Sequence, residues 1–335
     1  MTDLPRRSRR VGGTVILLSL LLRLYALGVV DRALAFLLEP NTFALLTYLE
    51  TGRYVRFFSS PEQRPAHEAE SPGPWLPPEP LAPEPLLTFS GGEAEDLHMY
   101  YGCSLRPDLA RLLEQPLTWN LRQQEPTVLI LHSHATESYT PGGRSYTESS
   151  PFRTLDEQNN MLSIGEHVAR ILAENGINAI QDRGLHDYPD YSGAYGHSRT
   201  AALEQLARHP SIRLVLDLHR DASGDNNNQL RTQATVEGQT SAQLMLVMGT
   251  NAGGLSHGNW QENLSLALKL QILLERQAPG ITRPISLRSQ RFNQDLSSGA
   301  LLVEVGAAGN THAEAMLAAG QLAMAIVALA GGTGG

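Results

Sequence analysis

Apolar residues recur along this chain at two spacings, and the switches between them outline the elements. Residues 127–131 form a short apolar, partly β-branched run of the kind a buried strand needs. Met161, Ile164, Val168, Ile171 and Leu172 then follow helical spacing, and Asn175-Gly176 supplies a stop. Residues 177–180 read as a strand, 199–208 as a helix, 212–219 and 244–248 as strands, and 264–275 as a helix. A last clear strand covers 300–305, and an apolar helix over 313–329 closes the chain. Strands alternating with helices of this length predict an α/β domain, a mostly parallel sheet with helices on both faces. Ligands in such folds gather at the carboxyl ends of the strands, which makes the polar residues there the ones to inspect.

The first 85 residues follow no such alternation. Arg6, Arg7, Arg9 and Arg10 precede an apolar stretch over 11–30 whose one charge is Arg23. About 20 apolar residues span a bilayer as a helix, and basic residues before them stay in the cytoplasm. Residues 1–32 are therefore expected to be a basic end plus a single-pass transmembrane anchor, with the α/β domain extracytoplasmic. Ala33-Leu34-Ala35 resembles a cleavage site and keeps a removable signal peptide as the alternative. Residues 33–59, interrupted by Glu39 and Pro40, read as membrane-proximal. Residues 60–85 are rich in proline and glutamate, too poor in apolar surface to fold, and read as a semi-rigid linker. Residues 86–125 would extend the domain that occupies 126–335.

Composition narrows the chemistry in two ways. The net charge of −8, with no basic run beyond the N-terminus, argues against a nucleic-acid partner. A single cysteine, Cys103, excludes an intramolecular disulfide and a cysteine-rich zinc site.

Three predicted strand ends carry useful groups. The first runs into His132-Ser133-His134-Ala135-Thr136-Glu137, where an H-x-H can offer one or two imidazoles to a metal or be ordinary polar surface. In the third, Asp217, His219 and Asp221 alternate with leucines, as in a histidine oriented by carboxylates or a satisfied half-buried histidine. In the last, Glu304 sits inside an apolar run, where a carboxylate is costly unless paired, metal-bound or shifted in pKa; a general base and a buried salt bridge both fit. Asp156, before the Met161 helix, can cap that helix or turn a carboxylate toward the same crevice.

The segments LILHSHATESYTP, FRTLDEQNNMLSIGEHVARIL, LVLDLHRDA, RFNQDLSSGALLVEVG and NTHAEA, in this order over roughly 126–329, resemble the stage II sporulation protein P family. That family is distantly similar to the zinc-dependent N-acetylmuramoyl-L-alanine amidases, so the resemblance implies an amidase-like fold and a Zn²⁺ cofactor. It implies His134 as first metal ligand, with His132 the alternative, and His219 as the last. The second falls on Asp156, an aspartate where a glutamate is usual, and this leaves Glu137 and Glu157 open. Glu304 in LLVEVG matches the catalytic glutamate. By motif match Arg199, Asn293, Gln294 and Asp295 bind the polar substrate, with loop structure and capping as their plainer roles. The implied activity is cleavage of the muramoyl-L-alanine amide of peptidoglycan, and of peptide cross-links, during sporulation engulfment beside a lytic transglycosylase and membrane partners. The rivals are a zinc carboxypeptidase-like peptidase and a non-catalytic peptidoglycan-binding scaffold.

Overall fold

A computed structural model of the 335-residue chain describes residues 89–331 apart from 144 and 225–227. The expected anchor, membrane-proximal segment and linker lie outside the described residues.

The described chain orders its elements as β1 (Met99–Tyr101), α1 (Leu109–Glu114), β2 (Val128–Leu131), α2 (Met161–Glu174), β3 (Ala179–Gln181), α3 (Ala194–Arg208) and β4 (Leu214–Asp221). There follow β5 (Ala234–Val236), β6 (Gln239–Ser241), β7 (Leu244–Met248), α4 (Trp260–Gln277), β8 (Ile285–Leu287), β9 (Ala300–Ala307) and α5 (His312–Gly331). Seven strands make one sheet in the order β1-β8-β7-β9-β4-β2-β3, and β5 and β6 form a separate antiparallel hairpin. Every pairing in the large sheet is parallel except β7 with β9. That seam sets two parallel blocks back to back. Consequently β2, β4 and β9 all point their carboxyl ends the same way.

Side chains of these strands alternate between two cores, as the pleat requires. Val128, Ile130, Leu216, Leu218, Val303 and Val305 join α2, α4 and α5 in the larger one. Leu129, Leu131, Val215 and Ala300 face Ala202 and Leu206 of α3 in the smaller one. Strands covered on both faces read as continuous apolar runs, and β2 and β9 are buried along their whole length. Helix α5 is long and apolar enough to cross a membrane by length and composition, but 78% of that stretch is buried inside the protein. It is a core helix here.

The expected elements are present with shifted ends: α3 begins at Ala194 and α4 at Trp260, and β3 is the three-residue Ala179–Gln181. The pattern did not reveal β1, β8, α1 or the β5/β6 hairpin. Three-residue strands and a six-residue helix give too few positions for a period to register.

A candidate metal centre at the ends of the central strands

Strand β2 ends at Leu131, and the chain turns sharply through 133–136, with Glu137 N donating to His134 O at 3.2 Å. This turn brings His134 and Glu137 side by side, three residues apart. It is pinned from both sides. Thr154 N donates to Thr136 O at 2.8 Å, Met161 N to Ala135 O at 3.2 Å, and Ser138 N to Phe152 O at 2.9 Å.

The third member comes from β4. His219 Nδ1 lies 3.6 Å from Glu137 Oε2, and His134 Nδ1 lies 3.3 Å from Glu137 Oε1. His134, Glu137 and His219 are all buried, with candidate ligand atoms within 4.8 Å of one another. The donor set is two imidazoles and a carboxylate, a combination that suits zinc and leaves a position open for substrate or water. Donors on a tetrahedral ion at bond lengths of about 2.0–2.1 Å sit roughly 3.3 Å apart, close to the two separations from Glu137, 3.3 and 3.6 Å. His134 Nδ1 is buried and makes no hydrogen bond. These residues can hold a metal ion.

The charge around the group is balanced. Burial would raise the Glu137 carboxyl, but the Arg220 guanidinium and the two histidines hold it well below the usual carboxylate range. Burial keeps the His134 imidazole below its ordinary value despite Glu137. For His219 burial pulls downward too, yet Asp217 and then Glu137 outweigh it and raise the imidazole well above its ordinary value. Asp217 Oδ1 stands 3.0 Å from His219 Nε2, off the axis of a well-aligned hydrogen bond. Arg220 reaches over the turn, its backbone N–H donating to Glu137 Oε2 at 3.1 Å and its side chain to Ser138 O and Phe152 O at 2.9 and 2.7 Å. Arg153 spans Glu137 Oε1 at 3.3 Å and Asp187 Oδ2 at 2.5 Å. Tyr191, half exposed, stacks on His134 with ring centroids 4.7 Å apart and carries the Arg153 guanidinium over its ring.

Glu304 pairs in register with His219 across β4 and β9, so the two side chains emerge from the same sheet face. It is buried at 6% exposure. The register of that ladder shifts between His219 and Asp221, a bulge beside the site.

Two expected ligands stand elsewhere. Asp156 is not in the group; its Oδ1 accepts from Gln158 N at 3.0 Å and its Oδ2 from Asn159 Nδ2 at 2.7 Å. The cap of α2 is Asn160, whose Oδ1 accepts from Leu162 N at 3.0 Å. Glu157 is on the surface, paired with Arg183 at 2.5 Å. His132 is fully buried, with Nδ1 3.3 Å from Leu218 O and Nε2 2.9 Å from Gln181 Nε2. An amide N–H donor at Nε2 makes that atom an acceptor, so the proton sits on Nδ1 and the ring is neutral. Burial lowers its pKa to about 4. Gly165 of α2 permits this packing, since a Cβ there would come 2.4 Å from His132 Nε2.

Nor are the expected substrate-binding residues open groups. Arg199 makes a two-pronged pair with Asp295 at 2.9 and 2.8 Å. Gln294 is buried, donating to Val247 O and accepting from Gly249 N, both at 2.7 Å. Asn293 adopts a left-handed conformation, φ 58°, and donates to Tyr195 O at 2.8 Å. Sequence reasoning passed over Arg153, Asp187 and Tyr191; no local pattern marks residues that meet only through folding.

The fold and site thus define an α/β protein with a buried His-Glu-His group at the carboxyl ends of its central strands. Residues 65–327 match the model of the Stage II sporulation protein P (SpoIIP) family, and the chain belongs to that family. Stage II sporulation protein P of Bacillus subtilis (strain 168) is 29% identical over 203 residues, covering 57% of this chain. That match spans about half, 48%, of the relative's length. Among solved structures, N-acetylmuramoyl-L-alanine amidase AmiC2 of Nostoc punctiforme is similar over 60% of this chain and 93% of its own, with 14% identity and a TM-score of 0.34. The N-acetylmuramoyl-L-alanine amidase from Clostridium difficile 630 is similar over 62% and 95%, with 17% identity and a TM-score of 0.36.

Proposed function

We propose that this chain is a zinc-dependent peptidoglycan hydrolase that cleaves the amide between the muramic lactyl group and L-alanine, and peptide cross-links, during sporulation engulfment. The observation that carries this reading is the convergence of His134, Glu137 and His219 with Glu304 beside His219 on one sheet face. The bound cation, held by His134, Glu137 and His219, would acidify water and polarise the amide carbonyl. Glu304 takes the attacking water's proton and delivers it to the amide nitrogen as the C–N bond breaks, so that the amine leaves neutral. Asp217 orients His219. Arg153 and Arg220 hold Glu137 in place.

Membership of the sporulation family supports the setting. In this reading residues 1–32 anchor the chain, residues 60–85 hold the domain off the membrane, and a lytic transglycosylase works beside it on the same wall. A carboxypeptidase needs a cation free to grip a terminal carboxylate. The two guanidiniums that touch Glu137 are committed instead, Arg153 to Asp187 and Arg220 to two backbone carbonyls.

The test is digestion of purified peptidoglycan by the full chain, with analysis of the new ends. Free muramic lactyl groups are expected, together with their loss in His219→Ala and Glu304→Gln and on strong chelation. New peptide ends alone would make the protein a peptidase. Hydrolysis that survives chelation and both substitutions would sink the assignment.

A further inference from the structure

A chain of hydroxyl and amide groups leads away from His219 on the side opposite Glu137, and its polarity can be read off the donors. Asp217 is its terminus: Oδ1 accepts from Ser133 N at 2.8 Å and Oδ2 from Ser133 Oγ at 2.6 Å. Asp217 Oδ2 is the acceptor in that contact, so the one Ser133 hydroxyl proton is spent on it. Ser133 Oγ also lies 2.7 Å from Ser198 Oγ. With its own proton engaged, Ser133 must accept there, and Ser198 donates. Tyr195 O competes for the Ser198 proton at 3.3 Å, but the 2.7 Å contact is much the stronger. Ser198 Oγ in turn has Asn293 Nδ2 at 3.3 Å. Behind that amide, Arg199 Nη1 lies 3.4 Å from Asn293 Oδ1 while its guanidinium grips Asp295. From Arg199 through Asn293, Ser198 and Ser133, each link has its donor on the side away from Asp217, and Asn293 Nδ2 also donates to Tyr195 O.

We propose that Ser133, Ser198 and Asn293 are positioning residues, a one-way hydrogen-bond relay that holds the Asp217 carboxylate against His219 Nε2 and thereby turns His219 Nδ1 toward Glu137. The inference rests on the metal-centre reading above and deepens it. It also gives Asn293 a role different from direct substrate contact. Its Nδ2 serves Tyr195 O and Ser198 Oγ, which uses both amide protons, and its Oδ1 faces Arg199. The left-handed backbone at Phe292 and Asn293, φ 52° and 58°, is what aims that amide back at α3. Asparagine tolerates this region better than most residues. Ser198 and Ser133 are both fully buried, so water cannot replace a missing link without a cavity.

Two substitutions cut the relay at different links. Ser198→Ala removes the middle hydroxyl, and Asn293→Gly removes the amide while keeping a residue that accepts positive φ. Zn²⁺ affinity of the full chain is measured by competition with a chromophoric chelator, the visible spectrum is recorded with Co²⁺ in place of zinc, and stability of the metal-free protein is measured in urea. Supporting residues of metal ligands typically contribute about 10–100-fold in affinity. A loss of that size is expected in both variants, with an altered Co²⁺ band and a metal-free stability close to wild type. Wild-type affinity and spectrum in both variants overturn the relay and leave the metal centre standing. Weaker binding with an unchanged Co²⁺ band and an equal loss of metal-free stability also overturns it, because the groups would then be structural. A wild-type chain that binds neither ion overturns both readings.

Discussion

Replacing Glu137 with glutamine separates a metal ligand from a structural salt-bridge hub, because the two roles differ in size. The exchange is isosteric, swapping one carboxylate oxygen for an amide. Glu137 faces the Arg153 guanidinium at 3.3 Å and that of Arg220 at 3.9 Å, and accepts from Arg220 N at 3.1 Å. One such pair at 3.3 Å has a gross attraction of about 5 kcal/mol at an effective dielectric of about 20. Most of this is offset by desolvation, and removing one partner of a buried pair costs about 3–5 kcal/mol net. Glutamine keeps an acceptor for Arg220 N, so the lower end, about 3 kcal/mol, is expected in urea unfolding of the metal-free variant. As a ligand, Glu137 must contribute more than the roughly 100-fold ceiling typical of supporting residues, or about 2.7 kcal/mol of zinc binding. Chelator competition on the same Glu137→Gln sample measures this directly. Binding within tenfold of wild type, together with the stability loss, would show that Glu137 only ties down arginines.

Three further substitutions probe the surroundings. Gly165→Ala places a methyl 2.4 Å from His132 Nε2 and 2.6 Å from Gln181 Nε2. Overpacking of about 1–3 kcal/mol then outweighs a helix-propensity gain of about 1 kcal/mol, and urea unfolding should show a net loss; equal stability would mean that His132 is not locked there. Asp187→Asn removes the charge that holds Arg153 at 2.5 Å and accepts from Thr136 Oγ1 at 2.6 Å. Zinc affinity should fall about 10–100-fold through the loosened turn, and unchanged affinity would free that turn from the clamp. Lys269, the one lysine in the chain, is buried in α4, and burial lowers its pKa to about 8. A base with a depressed folded pKa costs stability while both states are protonated, and the cost fades as pH rises from about 8 to the unfolded value. Lys269→Met should therefore stabilise the protein at pH 7, by about 1–2 kcal/mol once residual solvent screening and the lost bonds to Leu112 O and Ser265 Oγ are discounted. The advantage should shrink toward pH 10, and an advantage independent of pH would disprove the electrostatic origin.

Much of the architecture was legible because the central strands carry their own signal. Residues 127–131, 212–219, 244–248 and 300–305 are apolar enough to demand burial on both faces, and all four appear as strands of one sheet. The antiparallel seam between β7 and β9 was not legible, since a strand's direction relative to a distant neighbour leaves no local trace. His219 and Glu304 stood out because polar groups inside apolar strands are costly and need a reason. Their adjacency required the register of β4 against β9, which is a property of the folded sheet.

The H-x-H segment shows why a spacing pattern leaves the choice between two histidines open. Alternation on a strand would put His132 and His134 on one face, and by that argument both could serve one ion. His132 still follows Val128 and Ile130 toward α2, but the turn through 133–136 ends the alternation before His134. One step past the end of β2, His132 turns inward and spends both ring nitrogens on Leu218 O and Gln181. Two steps later the turn has reversed the chain, and His134 meets Glu137 of the same turn. The information that separates them lies on α2, where Gly165 leaves a space that the inward-turned ring at position 132 shares with Gln181. A glycine inside an otherwise favourable helix costs about 1 kcal/mol relative to alanine, so its presence there argues for close packing against something specific. Glu137 carried the complementary signal. A carboxylate three residues after a histidine, in a turn rather than a helix or strand, brings both side chains to the same side, which Asp156 could not do from a turn that its own carboxylate closes.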